Sequence, residues 1–393
     1  MTNLTTLDAV LKTNYIGPLN ELVNNDVKLL QRVFQDNEAV VTGKNFTMPL
    51  HVGRNEGVGA RIEGADLPDA GAQNYVDAII PMKYLYGRIN LTGQTIRAAK
   101  NNEGAFVRAV DSEMRGITRD LKADINRQLF GDGTGKLAAA TANSSASTTV
   151  TVDTTKNLRV GMIIDIIADN GTASVTGARI TAVTGTTITH NGTGAAVAAN
   201  SYIYRHGSRN NELMGLKGII SDVDPYTNGL QGIKVAENPI WKASVMANGG
   251  TNRALSLTLL RTMLDTIETA GNGKVSALYT THGVRRAYEA LLQAERQFVN
   301  VMKFDGGIET LTYDGLPIIA DKDCDANRIY FVDEDAMTVL NLGENGFAWM
   351  DEDGAILNRV NNKDAYSATL FRYSEFATKA RNAHGLLADI TEA

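Results

Sequence analysis

Several short clusters carry residue types that could do chemistry. Gly131-Asp-Gly-Thr-Gly135 has the glycine spacing of a phosphate-cradling loop. Such a loop leaves a strand, enters a helix and ends in Lys-Ser or Lys-Thr. Here the run follows a helical pattern, and neither pair comes after it. A helix C-terminus also carries the wrong partial charge for an anion. Asp321, Asp323 and Asp325 imitate the first ligands of a calcium loop. Its sixth position would be Ala326 where glycine is required, and its twelfth Val332 where a bidentate Glu is required. A solvated turn is the better reading there, and exposed turns are expected at Asp333-Glu-Asp335 and Asp351-Glu-Asp353.

The five histidines (His51, His190, His206, His282, His384) share no metal-ligand spacing. The one cysteine, Cys324, excludes an intramolecular disulfide. Its aspartate neighbours would raise a thiol pKa, so it reads as a packed thiol rather than a nucleophile. No Gly-x-Ser-x-Gly elbow occurs. The expectation is a structural chain, not an enzyme, with no catalytic, cofactor-binding or metal-binding residue.

The elements around these clusters are easier to read. Leu19, Leu22, Val23, Leu29, Leu30, Val33 and Phe34 recur at helical spacing after Gly17-Pro18, giving an amphipathic arm. Phe46, Met48, Leu50 and Val52 alternate with polar residues, as do Val76, Ala78, Ile80, Met82, Tyr84 and Tyr86, which are expected on one face. A glycine-rich charged tip separates the two runs. The pattern predicts a long hairpin with little core of its own, which must pack on something else.

Phe106, Val110, Met114, Ile117, Leu121, Ile125 and Leu129 then mark one face of a helix from about 104 to 130. Arg115, Arg119, Asp120, Lys122 and Arg127 form the opposite face, and Gly116 at its middle implies a close contact or a bend.

From 136 to 211 the composition shifts to Thr, Ala, Gly, Ser and Val. Lys136, Lys156, Arg159, Arg179, Arg205 and Arg209 outnumber Asp153, Asp165 and Asp169 there. Five short β runs (148–152, 162–167, 178–183, 186–189, 201–204) predict an inserted small barrel or sandwich. Beyond it, helices are expected at about 256–270 and after Thr280 or Thr281. Strands are expected at 275–279, 316–320, 328–332, 338–340 and 368–373.

At 393 residues the chain can hold several domains without disulfides. The first fifteen residues lack the basic and apolar regions of a signal peptide, and no apolar run approaches a membrane span. A net charge of -6 argues against a dedicated nucleic-acid binder.

The order of elements resembles the major capsid proteins of tailed bacteriophages, whose Hong Kong 97-like fold is shared with encapsulins. Gln128-Leu-Phe-Gly-Asp-Gly-Thr-Gly135 is similar to that family's helix exit, and Leu216-Lys-Gly-Ile219 to its continuation. Thr312-Tyr-Asp-Gly-Leu-Pro-Ile-Ile-Ala-Asp321 resembles its late strand. Phe371-Arg-Tyr and Lys379-Ala-Arg-Asn-Ala-His384 resemble its closing strands.

The resemblance implies an α+β fold with these parts: an N-arm (1–38), an extended loop (39–98), a periphery domain with a spine helix (99–135, 212–240, 346–393), an axial domain (241–345) and the inserted β domain (136–211). It implies self-association as hexamers and pentamers, and an icosahedral shell around double-stranded DNA without sequence-specific binding. Scaffold, portal and decoration or cement proteins would be its partners, with no membrane. It places the chain in the virion, assembled in the host cytoplasm.

An encapsulin-like compartment shell is the alternative, distinguished by gene neighbours. A soluble α+β enzyme would need a pocket of perturbed carboxylates or a bound cofactor.

Overall fold

A computed structural model describes residues 29, 32, 38–41, 43–94, 103–271, 273–294, 301–303, 309–343, 346–351 and 354–393. Apart from residues 29 and 32, the expected N-terminal helix lies outside the described residues, as do the side chains of Phe106 and Val110. In chain order come β1 (Glu38–Val41), β2 (Asn45–Gly53), β3 (Asn74–Pro81), β4 (Lys83–Thr92) and α1 (Glu103–Leu129). Eight strands follow: β5 (Lys136–Ala139), β6 (Ser144–Ser147), β7 (Thr149–Thr151), β8 (Ile163–Ile167), β9 (Ala173–Thr184), β10 (Thr187–His190), β11 (Ala195–Val197) and β12 (Tyr202–Arg205). Then come α2 (Leu216–Ile219), β13 (Ser244–Met246), α3 (Leu257–Gly271), β14 (Ala277–Thr280) and α4 (His282–Ala294). The chain finishes with β15 (Val301–Lys303), β16 (Glu309–Tyr313), β17 (Leu316–Ala320), β18 (Ile329–Val332), β19 (Met337–Leu342), β20 (Ala348–Trp349), β21 (Asn358–Arg359), β22 (Ala365–Thr378) and β23 (Gly385–Leu387). Two compact units result: Gly131–Glu212, and the remainder of the chain.

The larger unit holds two sheets. The first is built on β22, which pairs with β4, β19, β20 and β21, while β1 joins β19 in parallel. Leu85, Ile89 and Leu91 of β4 are buried in one core with Met114, Leu121, Ile125 and Leu129 of α1. The contact is close at Gly87, where an added Cβ would collide with Leu121 Cδ1 and lie 2.9 Å from Ile117 Cγ1. Gly116 is different: among the described residues a Cβ there would meet nothing within 4 Å, so no close contact with them explains it. Lys122, expected on the outer helix face, is buried at 4% exposure. On that face Arg115, Arg119 and Asp120 are exposed, and Arg127 pairs with Asp124 at 3.1 Å.

The hairpin is β2 paired with β3, in register from Asn45↔Pro81 to Gly53↔Asn74. Met48, Leu50 and Val76 pack on the main core, and Ile79 N–H donates to Gln231 O at 2.8 Å. The expectation that Val76 through Tyr86 share one face is corrected here. Ala78, Ile80 and Met82 are buried, but Tyr84 and Tyr86 are exposed and Leu85, Gly87 and Ile89 point inward. The strand is interrupted at Met82, where the chain leaves the hairpin for the first sheet, and the buried phase shifts by one residue.

The second sheet runs β13-β23-β18-β14-β17-β16-β15. Its strand β23 comes from the C-terminal region, while β19 belongs to the first sheet. Helix α3 lies against β23 at Gly385, where a Cβ would collide with Met263 Cε. Thr281 caps α4, its Oγ1 accepting Val284 N–H at 3.3 Å.

The smaller unit has eight strands where five were expected, because β5, β6 and β11 are only three or four residues long and rich in Ala or Ser, with no β-branched or aromatic alternation to mark them. Six strands order as β5-β12-β8-β9-β10-β7. The bridge Ala140↔Val152 joins the two ends, so the sheet closes as a small barrel. Its interior holds Val150, Val152, Ile164, Ile166, Ile180, Ile188 and Ile203. Asn210 N–H donates to Thr134 O at 3.0 Å, fastening the strands where they enter and leave.

Gly116 and Gly87 test these contacts in opposite senses. Gly116→Ala is expected to stabilise the unassembled chain by about 0.5–1 kcal/mol, the helix propensity difference. Gly87→Ala is expected to destabilise it by roughly 1–3 kcal/mol through overpacking against Leu121 and Ile117. Urea unfolding of both variants checks the signs.

Candidate functional site

The residues that stand out are arranged for contact. The tip of the hairpin (residues 54–73) has no regular strand, yet its legs are held together. His51 Nε2 and Gln73 Oε1 are 2.6 Å apart at the neck. Asn55 Nδ2 donates to Gly71 O at 3.0 Å, and Asn55 Oδ1 accepts Gly57 N–H at 2.8 Å. Glycine is needed there, since a Cβ on Gly57 would lie 2.8 Å from Asp69 O. At the end of this ordered loop Val58, Ile62 and Leu67 are 86%, 83% and 84% exposed. Three exposed aliphatic side chains on one loop point to a partner surface.

The first described stretch of the N-terminal region is anchored by charge. Arg32 Nε and Nη2 donate to the two oxygens of Glu334 at 2.6 and 2.7 Å, a bidentate pair. Glu334 also accepts from Tyr279 OH at 2.6 Å and Ser276 Oγ at 2.9 Å. Burial and the Glu334 charge push the Tyr279 hydroxyl pKa well up, so it stays a donor.

A second polar cluster sits where β22 ends. Arg381 is fully buried, donating to Ile219 O at 2.8 Å and Val223 O at 2.6 Å, with Asp224 Oδ1 at 3.4 Å. His384 is also fully buried, and burial lowers its pKa to about 3. Its Nδ1 accepts Asp333 N–H at 3.2 Å, which leaves the proton on Nε2, 3.0 Å from Thr378 Oγ1. Glu375 Oε1 accepts from Met214 N–H at 2.8 Å and Phe376 N–H at 3.0 Å, and burial raises its pKa to about 7.

The motifs singled out from sequence have structural duties. Gly133 and Gly135 take φ of +73° and +78° in the turn leading into the barrel. The Asp321–Asp325 turn is not simply solvated. Asn126 Nδ2 of α1 donates to Asp321 Oδ1 at 2.9 Å and to Asp323 Oδ2 at 2.6 Å, while Asp325 faces Lys217 Nζ at 3.3 Å. Asp321 and Asp323 thus share the Asn126 amide while Asp325 turns to Lys217, and Asp321 is 8% exposed. Asp333 and Glu334 are likewise buried rather than exposed, each at 9%. Asp351 is exposed, and its neighbours 352–353 lie outside the described residues. Cys324 is buried in the main core.

The histidines are dispersed. His206 Nδ1 lies 2.8 Å from Asp165 Oδ1 in the barrel, and this bond helps hold the Asp165 pKa down against its desolvation. His190, also in the barrel, is buried and its pKa is lowered by burial. Among the described residues, no group of three or more His, Cys, Asp or Glu is placed to hold a metal, and no helix is long and apolar enough to cross a membrane.

Arg32–Glu334, Arg381 and Glu375 were not visible in the sequence. Lone charged residues in mixed segments give no signal of burial.

No protein-family model matches the chain, and no curated protein matches its sequence. Solved structures do. The capsid asymmetric unit of cyanophage A-1(L) superposes with a TM-score of 0.59 at 15% identity over 93% of both chains. The capsid of the native GTA particle gives 0.48 at 9% identity, over 93% of this chain and 91% of that one. An encapsulin from Synechococcus elongatus gives 0.46 at 9% identity, over 93% and 89%. The likeness to the cyanophage subunit establishes the fold as α+β and Hong Kong 97-like.

Glu375 supplies a pH test. Its folded pKa of about 7 exceeds the ordinary 4.5, so the stability it allows is complete below about pH 4.5 and is lost as pH rises through about 7. Glu375→Gln keeps an oxygen for Met214 and Phe376 N–H without a charge. The variant should unfold at higher urea than the parent at pH 8, with the difference closing below pH 5. A pH-independent difference would show that burial of the charge is not the cause.

Proposed function

We propose that this chain is a major capsid protein, which self-assembles as hexamers and pentamers into the icosahedral head shell of a tailed bacteriophage. The observation that carries this is a capsid-subunit fold spanning 93% of the chain, combined with an ordered hairpin that projects three bare aliphatic side chains. Such a projection has no use in a monomer. It suits a subunit that overlaps a neighbour and gains its binding from many shared contacts.

In this reading residues 1–38 are the N-arm and 39–98 the extended loop. The periphery domain comprises 99–135, 212–240 and 346–393, and the axial domain 241–345. The barrel (136–211) is a surface projection or a stabilising contact between subunits. The role is structural and non-catalytic. The shell encloses packaged double-stranded DNA without reading its sequence, consistent with the net charge of -6. Scaffold, portal and decoration or cement proteins are the expected partners. The location is the virion, after assembly in the host cytoplasm.

Negative-stain microscopy of the expressed chain, alone and with its scaffold, should show shells, tubes or capsomer rings. Replacing Val58, Ile62 and Leu67 by Ser should leave the melting temperature within a degree or two, because these side chains are already in water, and should abolish assembly. A chain that stays monomeric under all these conditions rejects the proposal.

A further inference from the structure

We propose a divalent-cation site, suited to calcium, between the last turn of α1 and the turn that joins β17 to β18, with Asp321, Asp323 and Asn126 as its protein ligands. It stands independently of the shell reading. Asn126 Nδ2 lies 2.9 Å from Asp321 Oδ1 and 2.6 Å from Asp323 Oδ2. One point is thus already flanked by two carboxylate oxygens, near the calcium–oxygen distance of about 2.3–2.6 Å. Asp321 is 8% exposed, and so is little more of the Asp323 side chain, at 9%. Two carboxylates this buried and this close repel unless positive charge lies between them.

Asn126 supplies a second observation. Its side chain reaches into this pair of carboxylates, the residue is 5% exposed, and its Oδ1 has no hydrogen-bond partner. A buried carbonyl oxygen without a donor is costly. A half-turn about Cβ–Cγ exchanges Oδ1 with Nδ2 and aims that oxygen between the carboxylates. Alone, this orientation sets three oxygens against one another. Around a cation it gives three ligands and satisfies the orphaned oxygen. The donors are all hard oxygens, as calcium prefers, and water would complete its flexible shell, whereas magnesium demands shorter, near-octahedral bonds. Asn126 also stands in the last turn of α1, where the helix dipole favours positive charge. Lys322 Nζ lies 3.0 Å from Asp323 Oδ2, but its side chain is 67% exposed and can swing into solvent. Asp325 turns instead to Lys217 and Arg328.

The aspartate run fails as a self-contained calcium loop at Ala326 and Val332. The ligand it lacks comes from α1, 195 positions away from Asp321. A cation here would tie the helix that packs on the first sheet to the β17–β18 turn of the second sheet, all within the larger unit. Because the site is assembled only in the folded chain, calcium would stabilise the fold by mass action.

Equilibrium dialysis of the EDTA-treated full chain against radioactive calcium tests this. At about 1 mM free calcium, the range of weak calcium sites, one ion should bind per chain. CaCl2 should also raise the melting temperature by more than the same concentration of MgCl2. Lys322→Ala, an exposed change that removes a competing cation, should tighten binding several-fold. Asn126→Asp, which adds a third carboxylate, should tighten it further and make stability depend more steeply on calcium. Asp323→Asn should lose binding, with its urea midpoint in EDTA close to the parent's. Asp169→Asn, on an exposed turn of the barrel, should bind as the parent does. No calcium bound at that concentration, or binding that Asp323→Asn and Lys322→Ala both leave unchanged, overturns the proposal. Either result leaves the shell reading standing, since dialysis does not depend on assembly.

Discussion

The larger unit depends on one long strand. β22 spans fourteen residues and pairs with β4 along ten of them, so the first quarter of the chain meets the last tenth. The same pairing presents Gly87 to α1, and the absence of a side chain there lets the long helix lie against the sheet. Helix position, hairpin direction and outward face all follow from that register. A slip of one residue would exchange the buried Leu85, Ile89 and Leu91 for Tyr84, Tyr86 and Arg88. The cost of burying Arg88 and exposing three aliphatic side chains keeps the register unique.

The two sheets of this unit are joined by buried polar groups. β22 belongs to one sheet and β23 to the other, and Arg381 and His384 stand in the short connection between them. A guanidinium without solvent is costly unless its donors are met. Arg381 spends its donors on Ile219 O, Val223 O and Asp224, so the segment after α2 has one allowed place. His384 stays neutral and bridges Asp333 N–H to Thr378. These bonds impose geometry that apolar packing alone would leave adjustable. The barrel has its own smaller polar anchor in Asp165, which meets His206 and the Gly177 and Gly207 N–H groups. It has a core of its own and a fastened neck, between α1 and α2 in the chain.

The helices α1, α3 and α4 and the hairpin were legible in the sequence because each carries its own periodicity, and the β insert because its composition shifts. The four-residue steps from Met114 to Leu129 and the alternation from Phe46 to Val52 reflect a single buried stripe, which local spacing encodes. The family resemblance rested on the order of these elements, and the superposition on the cyanophage subunit bears out the fold. The candidate contact site was legible only in part. Its glycine-rich tip was visible, but its exposed aliphatics were not.

The sequence by itself determined the helices α1, α3 and α4, the hairpin and the presence of a β insert, and that no familiar motif for chemistry is complete. Tertiary structure alone decided where the buried phase shifts at Met82, which turned Tyr84 and Tyr86 from expected core into an exposed face. It alone buried Glu334 against Arg32, 302 positions away in the chain. The physical reason is the same in both cases. Periodicity states that a stripe is buried, whereas a change of sheet partner or a charge pair depends on residues that local spacing cannot see. The acidic turns taken for solvated loops became docking points because their partners arrive from α1 and the N-terminal region.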